Sequence, residues 1–198
     1  MCLAGRIEIT SFIHNIIFHE AVGLDTWRLA PRIETNDQKE PQMSEITNLA
    51  EKLKSEGEKF ASIFTGLTDE QWTAEVYTEG ATWTIRNVLS HFVTSERALI
   101  KLFEQIRQGG AGSSEDFSID RYNAAMQART KELTPGELLE QYKTIRAESV
   151  AWTSGLSEAD LEKQGRHPFL GQTTIREMIK MLYIHNLTHY RDMRKALK

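Results

Sequence analysis

A single cysteine, Cys2, occurs among the 198 residues, which excludes an internal disulfide framework and removes cysteine from any plausible metal site. No apolar run approaches the roughly 18 residues that a membrane-spanning helix needs. The net charge of −4 gives no reason to expect that the protein wraps nucleic acid. We therefore expect a cytoplasmic protein without membrane or nucleic-acid partners, long enough for one well-buried domain.

The first 42 residues differ in composition from the rest of the chain. They contain one apolar segment, ITSFIHNIIF, followed by the polar run PRIETNDQKEPQ, which has the composition of a linker. No small-residue cleavage site follows the apolar segment, so it is not interpreted as a signal peptide. We expect a poorly ordered extension over residues 1–42 and a folded domain over residues 43–198, for which Met43 is a candidate natural start.

Apolar residues recur at three- and four-residue steps in four long segments, which is the spacing of a helix face that packs on a core. The segments run approximately over Ser44–Phe64, Ile85–Arg107, Thr134–Gly155 and Thr174–Leu197. A hydroxyl side chain suited to cap a helix stands at the N-terminal end of each. A shorter helix, Ile119–Arg129, is predicted in the connection between the second and third segments.

The two halves of the chain resemble each other weakly. In each half a long helix is followed by a short capped turn, a loop and a second long helix, and the caps of the two turns are Thr68 and Ser157. No segment alternates clearly enough to predict a sheet. The sequence therefore predicts an all-α four-helix bundle, built from two helical hairpins that a long crossover joins.

The last predicted helix places two histidines on its inward face. Met178 and Leu182 lead at helical spacing to His185 and His189, whose side chains are expected roughly 5–6 Å apart at Cβ. This pair suits a shared metal ion. Two core histidines, each hydrogen-bonded to a neighbour, fit the pattern about equally well. The motif is not the HExxH of zinc proteases, because Asn186 follows the first histidine.

His91 is the remaining histidine within a predicted long helix, and it is the natural third ligand. His167 lies in a loop before a proline, while His14 and His19 are five residues apart, which does not stack them on a helix face. Three histidines leave one or more coordination positions open, as in catalytic zinc sites. Imidazole ligands also suit nickel, iron or copper, so the number of ligands does not fix the metal. We expect Zn²⁺ or Ni²⁺, with Fe²⁺ or Mn²⁺ as alternatives.

Three short motifs in order resemble a known family. They are a capped Trp-Thr pair at residues 83–84, a histidine seven residues into the helix that follows, and HxxxHYR in the last helix. Together they resemble the DinB/YfiT-like superfamily of bacterial four-helix-bundle proteins, over roughly residues 44–198. Tyr190-Arg191 stands where many members have histidine-arginine, a departure that concerns the surroundings of the metal site.

The resemblance implies a bundle with a divalent metal held by His91, His185 and His189. It also implies chemistry on a small molecule, because characterised relatives include transferases and isomerases that use the thiols mycothiol, bacillithiol or glutathione. A low-molecular-weight thiol is therefore an expected partner, together with a small-molecule substrate. Some relatives have lost the metal, but this chain keeps all three histidines.

Glu96 lies in the middle of the inner face of the second predicted helix. Its carboxylate could orient a histidine or act as a catalytic general base toward water. Alternatively, Glu96 is a buried carboxylate paired with an arginine, or one that reaches solvent at a helix crossing.

The leading hypothesis is a metal-dependent transferase or hydrolase, with thiol transfer as the favoured reaction. One alternative is a binding or resistance protein that sequesters a small molecule in the bundle groove without turnover. Another is a structural module whose histidines belong to the core. A homodimer formed through helix faces is compatible with each of these hypotheses.

Overall fold

The computed structural model describes residues 43–198, so the prediction for residues 1–42, including His14 and His19, lies outside the described part. The described chain forms seven helices and four short strands. In order they are α1 (Glu45–Ile63), α2 (Asp69–Trp72), β1 (Glu75–Tyr77), β2 (Trp83–Thr84), α3 (Ile85–Arg107), α4 (Ile119–Thr130), α5 (Pro135–Ser154), α6 (Glu158–Leu161), β3 (Gln164–His167), β4 (Gly171–Thr174) and α7 (Ile175–Ala196). Across residues 43–198, none of the helices has both the length and the apolarity for a bilayer crossing.

Hydroxyl side chains start the helices, as the sequence predicts. The Thr84 hydroxyl accepts the backbone N–H of Asn87, and the Asn87 side chain accepts the backbone N–H of Thr84, which completes a capping box. Before α7 only half of such a box is formed. Thr174 accepts the backbone N–H of Glu177, but the Glu177 carboxylate pairs with Lys180 at 2.9 Å instead.

The four long helices, α1, α3, α5 and α7, form the predicted bundle. Helix α1 packs against α5 and α7, and α3 also packs against α5 and α7. The two helices of each predicted hairpin therefore lie diagonally across the bundle, a detail that helix periodicity does not predict. The connections that join them, with a short helix and two strands each, are long enough to cross the end of the bundle.

Two antiparallel two-stranded ladders, β1–β2 and β3–β4, occupy segments that the sequence predicted as loops. In the first ladder Glu75 pairs with Thr84 and Tyr77 pairs with Trp83, with a shift of register between them. Strands of two to four residues are too short to show the alternation from which a sheet is predicted. The first ladder contacts α3 and α7, and it carries Tyr77 to the face of α7.

The hydrophobic core consists of two clusters, and buried polar side chains form a network among the long helices. In this network the Arg146 guanidinium donates to a Glu96 carboxylate oxygen at 2.8 Å and to the Leu53 carbonyl at 3.1 Å. Ser149 donates to the other Glu96 oxygen at 2.7 Å. With its amide oriented to satisfy its neighbours, Asn186 accepts from the guanidinium at 3.0 Å. A single buried cation therefore contacts groups on all of the other three long helices.

Gly57 makes room for this cation, and its replacement provides a test. A Cβ at Gly57 would lie 2.6 Å from Cγ of Arg146. Alanine in a helix normally gains roughly 0.5–1 kcal/mol over glycine. Here we expect Gly57→Ala to lower the free energy of unfolding by about 1–3 kcal/mol, because the arginine must be displaced. Urea unfolding followed by circular dichroism measures the change.

Gly136 offers a matched control, since it lies in the first turn of α5 and a Cβ there would meet nothing within 4 Å. Gly136→Ala should leave the free energy of unfolding unchanged or raise it slightly. Equal effects of the two substitutions would contradict the packing argument.

Candidate metal centre

The structure brings together the three imidazoles that the sequence singled out. His91 lies in the second turn of α3, and His185 and His189 lie one turn apart on α7. The Nε2 atom of His185 is 3.2 Å from Nε2 of His91 and 3.0 Å from Nε2 of His189. Within residues 43–198, these residues form the one group of three or more potential ligands whose donor atoms all lie within 4.8 Å of one another.

The nitrogen spacing fits ligation of one ion. Two imidazole nitrogens, each about 2.1 Å from an ion and about 90–110° apart, would be separated by about 3.0–3.4 Å. The donor set consists of three neutral nitrogen ligands, which suits Zn²⁺ and other first-row divalent ions. The residues present therefore fit a divalent ion.

Burial keeps these rings neutral. Loss of solvent lowers the pKa of His91 to about 4 and that of His189 to about 3, and the neighbouring His91 imidazole contributes to the lowering at His189. The pKa of His185 lies well below its ordinary value, mainly because of burial and then because both other rings are close. At neutral pH the rings therefore have lone pairs available for a metal.

Polar groups contact the outer nitrogens of two rings. Nδ1 of His91 lies 3.2 Å from the amide oxygen of Asn123 on α4. Because that oxygen only accepts, Nδ1 carries the hydrogen and Nε2 is left with its lone pair. Nδ1 of His189 lies 2.7 Å from the Tyr77 hydroxyl, which donates to a carboxylate oxygen of Asp192 at 3.0 Å. Burial and the Asp192 charge raise the pKa of Tyr77, so the phenol keeps its proton.

Aromatic rings line the inner side of the cluster. The Phe92 ring lies 4.9 Å from the ring of His185 and 5.2 Å from that of His189, measured between centroids. Trp83 from the first ladder lies 5.2 Å from His91. Such walls lower the local dielectric on the inner side, which strengthens electrostatic interactions there.

Glu96 is placed away from the group of three histidines, in the buried ion pair with Arg146. Ser149 and Arg146 occupy its two carboxylate oxygens, and its side chain is almost entirely buried. These contacts correspond to the structural alternative that the sequence left open. The catalytic role expected for Glu96 stays a prediction.

Sequence reasoning did not select Tyr77 or Asn123 as site residues. Asp192 was recognisable only as a polar position three residues after His189 on the same helix face. Tyr77 carries no signal of this kind, because it reaches His189 through a ladder that the sequence does not predict. Asn123 reaches His91 from the connecting helix α4, across 32 positions of sequence.

A model of the DinB superfamily matches residues 52–193, which is well over half of the chain. The chain therefore belongs to this superfamily. No curated protein matches it at a significant level.

Two solved structures share the fold. One is YfiT from Bacillus subtilis, described as a probable metal-dependent hydrolase with an unusual four-helix bundle topology. It is 15% identical, with a TM-score of 0.65, and the match covers 80% of this chain and 90% of that one. The other is an uncharacterised protein from Clostridium difficile 630, also 15% identical, with a TM-score of 0.61 and coverage of 78% and 96%. The described chain is thus a YfiT-like four-helix bundle.

A double-mutant cycle tests whether Glu96 has a structural role. We expect Glu96→Gln to lower the free energy of unfolding by about 3–5 kcal/mol, because it leaves the Arg146 charge buried without a partner. Combining it with Arg146→Met should cost clearly less than the sum of the two single changes, with a coupling energy of about 0.5–3 kcal/mol. Urea unfolding of the four proteins gives this coupling.

The same variants address the catalytic prediction. A general base would lose turnover on Glu96→Gln while the free energy of unfolding stays near that of the wild type. That outcome, combined with additive effects in the cycle, would contradict the structural role.

Proposed function

We propose that the protein is a divalent-metal-dependent enzyme that acts on a small molecule, with His91, His185 and His189 as the metal ligands. The observation that carries this proposal is the convergence of three Nε2 atoms, two of them 3.0 Å and 3.2 Å from the third. A purely structural role is disfavoured, because Nε2 of His185 would have to share its single hydrogen between Nε2 of His91 and Nε2 of His189, which is weaker than a separate partner for each ring.

The residues around the cluster have distinct roles in this proposal. Asn123 accepts from Nδ1 of His91 and turns the opposite nitrogen toward the centre. Phe92 and Trp83 keep water from the inner side, so a substrate would approach from the partly exposed side of His185 and His189. When bound, a divalent ion would act as a Lewis acid that polarises a substrate or increases the acidity of water or a thiol.

Two reaction classes follow for such a site. Thiol transfer or thiol-dependent isomerisation is our first choice, because the family resemblance includes enzymes of this kind. Hydrolysis is supported by the description of YfiT from Bacillus subtilis as a probable metal-dependent hydrolase. Zn²⁺ and Ni²⁺ are the ions that we favour, while Fe²⁺ and Mn²⁺ remain compatible with the donor set. A homodimer and a cytoplasmic location stay predictions.

Metal content tests the ligand assignment. Protein purified without an affinity tag should contain about one equivalent of divalent metal per chain by elemental analysis, since one ion satisfies all three ligands. His185→Asn should lose the metal, because it removes the nitrogen that lies between the other two.

His167→Asn is the matched control. His167 is also buried, but its Nδ1 accepts two backbone N–H groups, from Phe169 and Leu170, and asparagine can replace that acceptor. This variant should keep its metal. Full metal content in His185→Asn would refute the assignment of the ligands.

Turnover separates an enzyme from a sequestering protein. The metal-loaded protein should accelerate transfer of glutathione to an electrophilic arene, or hydrolysis of an activated ester, and His185→Asn should abolish the faster of the two. Product in excess of the protein concentration is the required result. Uptake of one equivalent of ligand without product would instead favour the binding-protein alternative.

A further inference from the structure

We propose that Tyr77 and Asp192 are positioning residues for His189. Together they hold its ring in the tautomer with hydrogen on Nδ1, so that the lone pair of Nε2 faces the two other histidines. The effect of these residues on metal binding rests on the proposed function. The tautomer of His189, by contrast, is a property of the protein without metal.

Together with Lys195, these three residues form a continuous chain of hydrogen bonds from the surface to the cluster. Lys195 donates to one carboxylate oxygen of Asp192 at 3.2 Å, and Tyr77 donates to the other at 3.0 Å. The same phenolic oxygen lies 2.7 Å from Nδ1 of His189. The phenol and imidazole rings meet edge to face, with an interplanar angle of 78°. Two elements contribute to this chain, because Tyr77 lies on β1 and the other residues lie on α7.

A count of hydrogens determines the direction of these bonds. A carboxylate has no hydrogen to donate, so Asp192 can only accept from Tyr77. The phenol has a single hydrogen, which this bond uses. Its oxygen must then accept at the 2.7 Å contact, and Nδ1 of His189 must be the donor. A neutral imidazole with hydrogen on Nδ1 has none on Nε2.

The opposite tautomer would disrupt the contacts of both ring nitrogens of His189. If Nε2 carried the hydrogen, Nδ1 would need the phenolic hydrogen, and the Tyr77 oxygen would face the Asp192 carboxylate at 3.0 Å with lone pairs on both atoms. The hydrogen on Nε2 would also occupy the direction in which a metal must bind. Asp192 therefore selects the metal-binding form of His189 through Tyr77, a phenol-bridged version of the carboxylate–histidine pair found at many metal sites.

A merely structural role for Tyr77 makes different predictions. Tyr77 also packs on Trp83, with ring centroids 6.4 Å apart, so its loss could loosen the first ladder. Loosening would lower the free energy of unfolding but would not favour one tautomer of His189. The ring tautomer is therefore the decisive measurement, and stability is not.

The experiment compares wild type with Tyr77→Phe, Asp192→Ala and the double variant. The histidine rings are labelled with ¹⁵N, and their tautomers are read by NMR in the metal-free protein, after which Zn²⁺ affinity is measured by chelator competition. In wild type His189 should be in the Nδ1–H form. Each single variant should populate the Nε2–H form and weaken Zn²⁺ binding by about 10- to 100-fold. The double variant should be no weaker than the worse single variant, because the two residues act as one unit.

Tyr122→Phe is the matched control. Its hydroxyl is also partly buried, but it donates to the carbonyl of Thr94 at 2.8 Å and not to a histidine. This variant should keep both the wild-type tautomer and the wild-type Zn²⁺ affinity.

The outcomes separate this inference from the proposed function. Wild type that binds no Zn²⁺, but has His189 in the Nδ1–H form, would refute the metal function and leave the positioning role of the pair intact. Wild type with His189 in the Nε2–H form would overturn the inference. Unchanged tautomer and affinity in Asp192→Ala would also overturn it, even if Tyr77→Phe failed to fold.

Discussion

The guanidinium of Arg146 is the point at which all four long helices meet. It is carried by α5, and it bonds the Leu53 carbonyl on α1, Glu96 on α3 and Asn186 on α7. A buried charge without partners is costly, so a helix that slid along the bundle would lose more than apolar contact. The network therefore fixes the positions of the helices along the bundle axis relative to one another, which apolar side chains alone specify weakly.

This constraint reaches the histidines directly. Asn186 follows His185 on α7, and Glu96 lies five residues after His91 on α3. Both helices that carry candidate ligands are thus held by the same cation, within about one and a half turns of the ligands. A contact of 3.2 Å between Nε2 atoms on separate helices needs such precision, because a slip of one residue would move a ring by about 1.5 Å along the helix axis.

The parts of the structure that local rules govern were predictable from the sequence. Helix periodicity and hydroxyl caps gave α3 its correct bounds, and placed His185 and His189 on one face. The pairing of Glu96 with Arg146 was not predictable, because Arg146 lies beside the apolar stripe of α5 and its burial depends on the space above Gly57. Periodicity identifies a face, but it does not identify the partner of a charge within that face.

The candidate site departs from the usual rule that buried polar groups have their own hydrogen-bond partners, and the departures all favour a cation. Three rings that burial keeps neutral converge with their Nε2 atoms beside aromatic side chains, although separate polar partners would satisfy them better. At the outer edge the groups that contact two of these rings, Asn123 and Tyr77, leave the inner nitrogens without hydrogen. At most one hydrogen, on Nε2 of His185, is left to be shared between the lone pairs of the two other rings, so the arrangement is poorly satisfied in the protein alone and becomes favourable with a cation at the centre. Sites at which a fold accepts such local cost are usually functional ones, and under the proposed function metal binding would relieve the cost here.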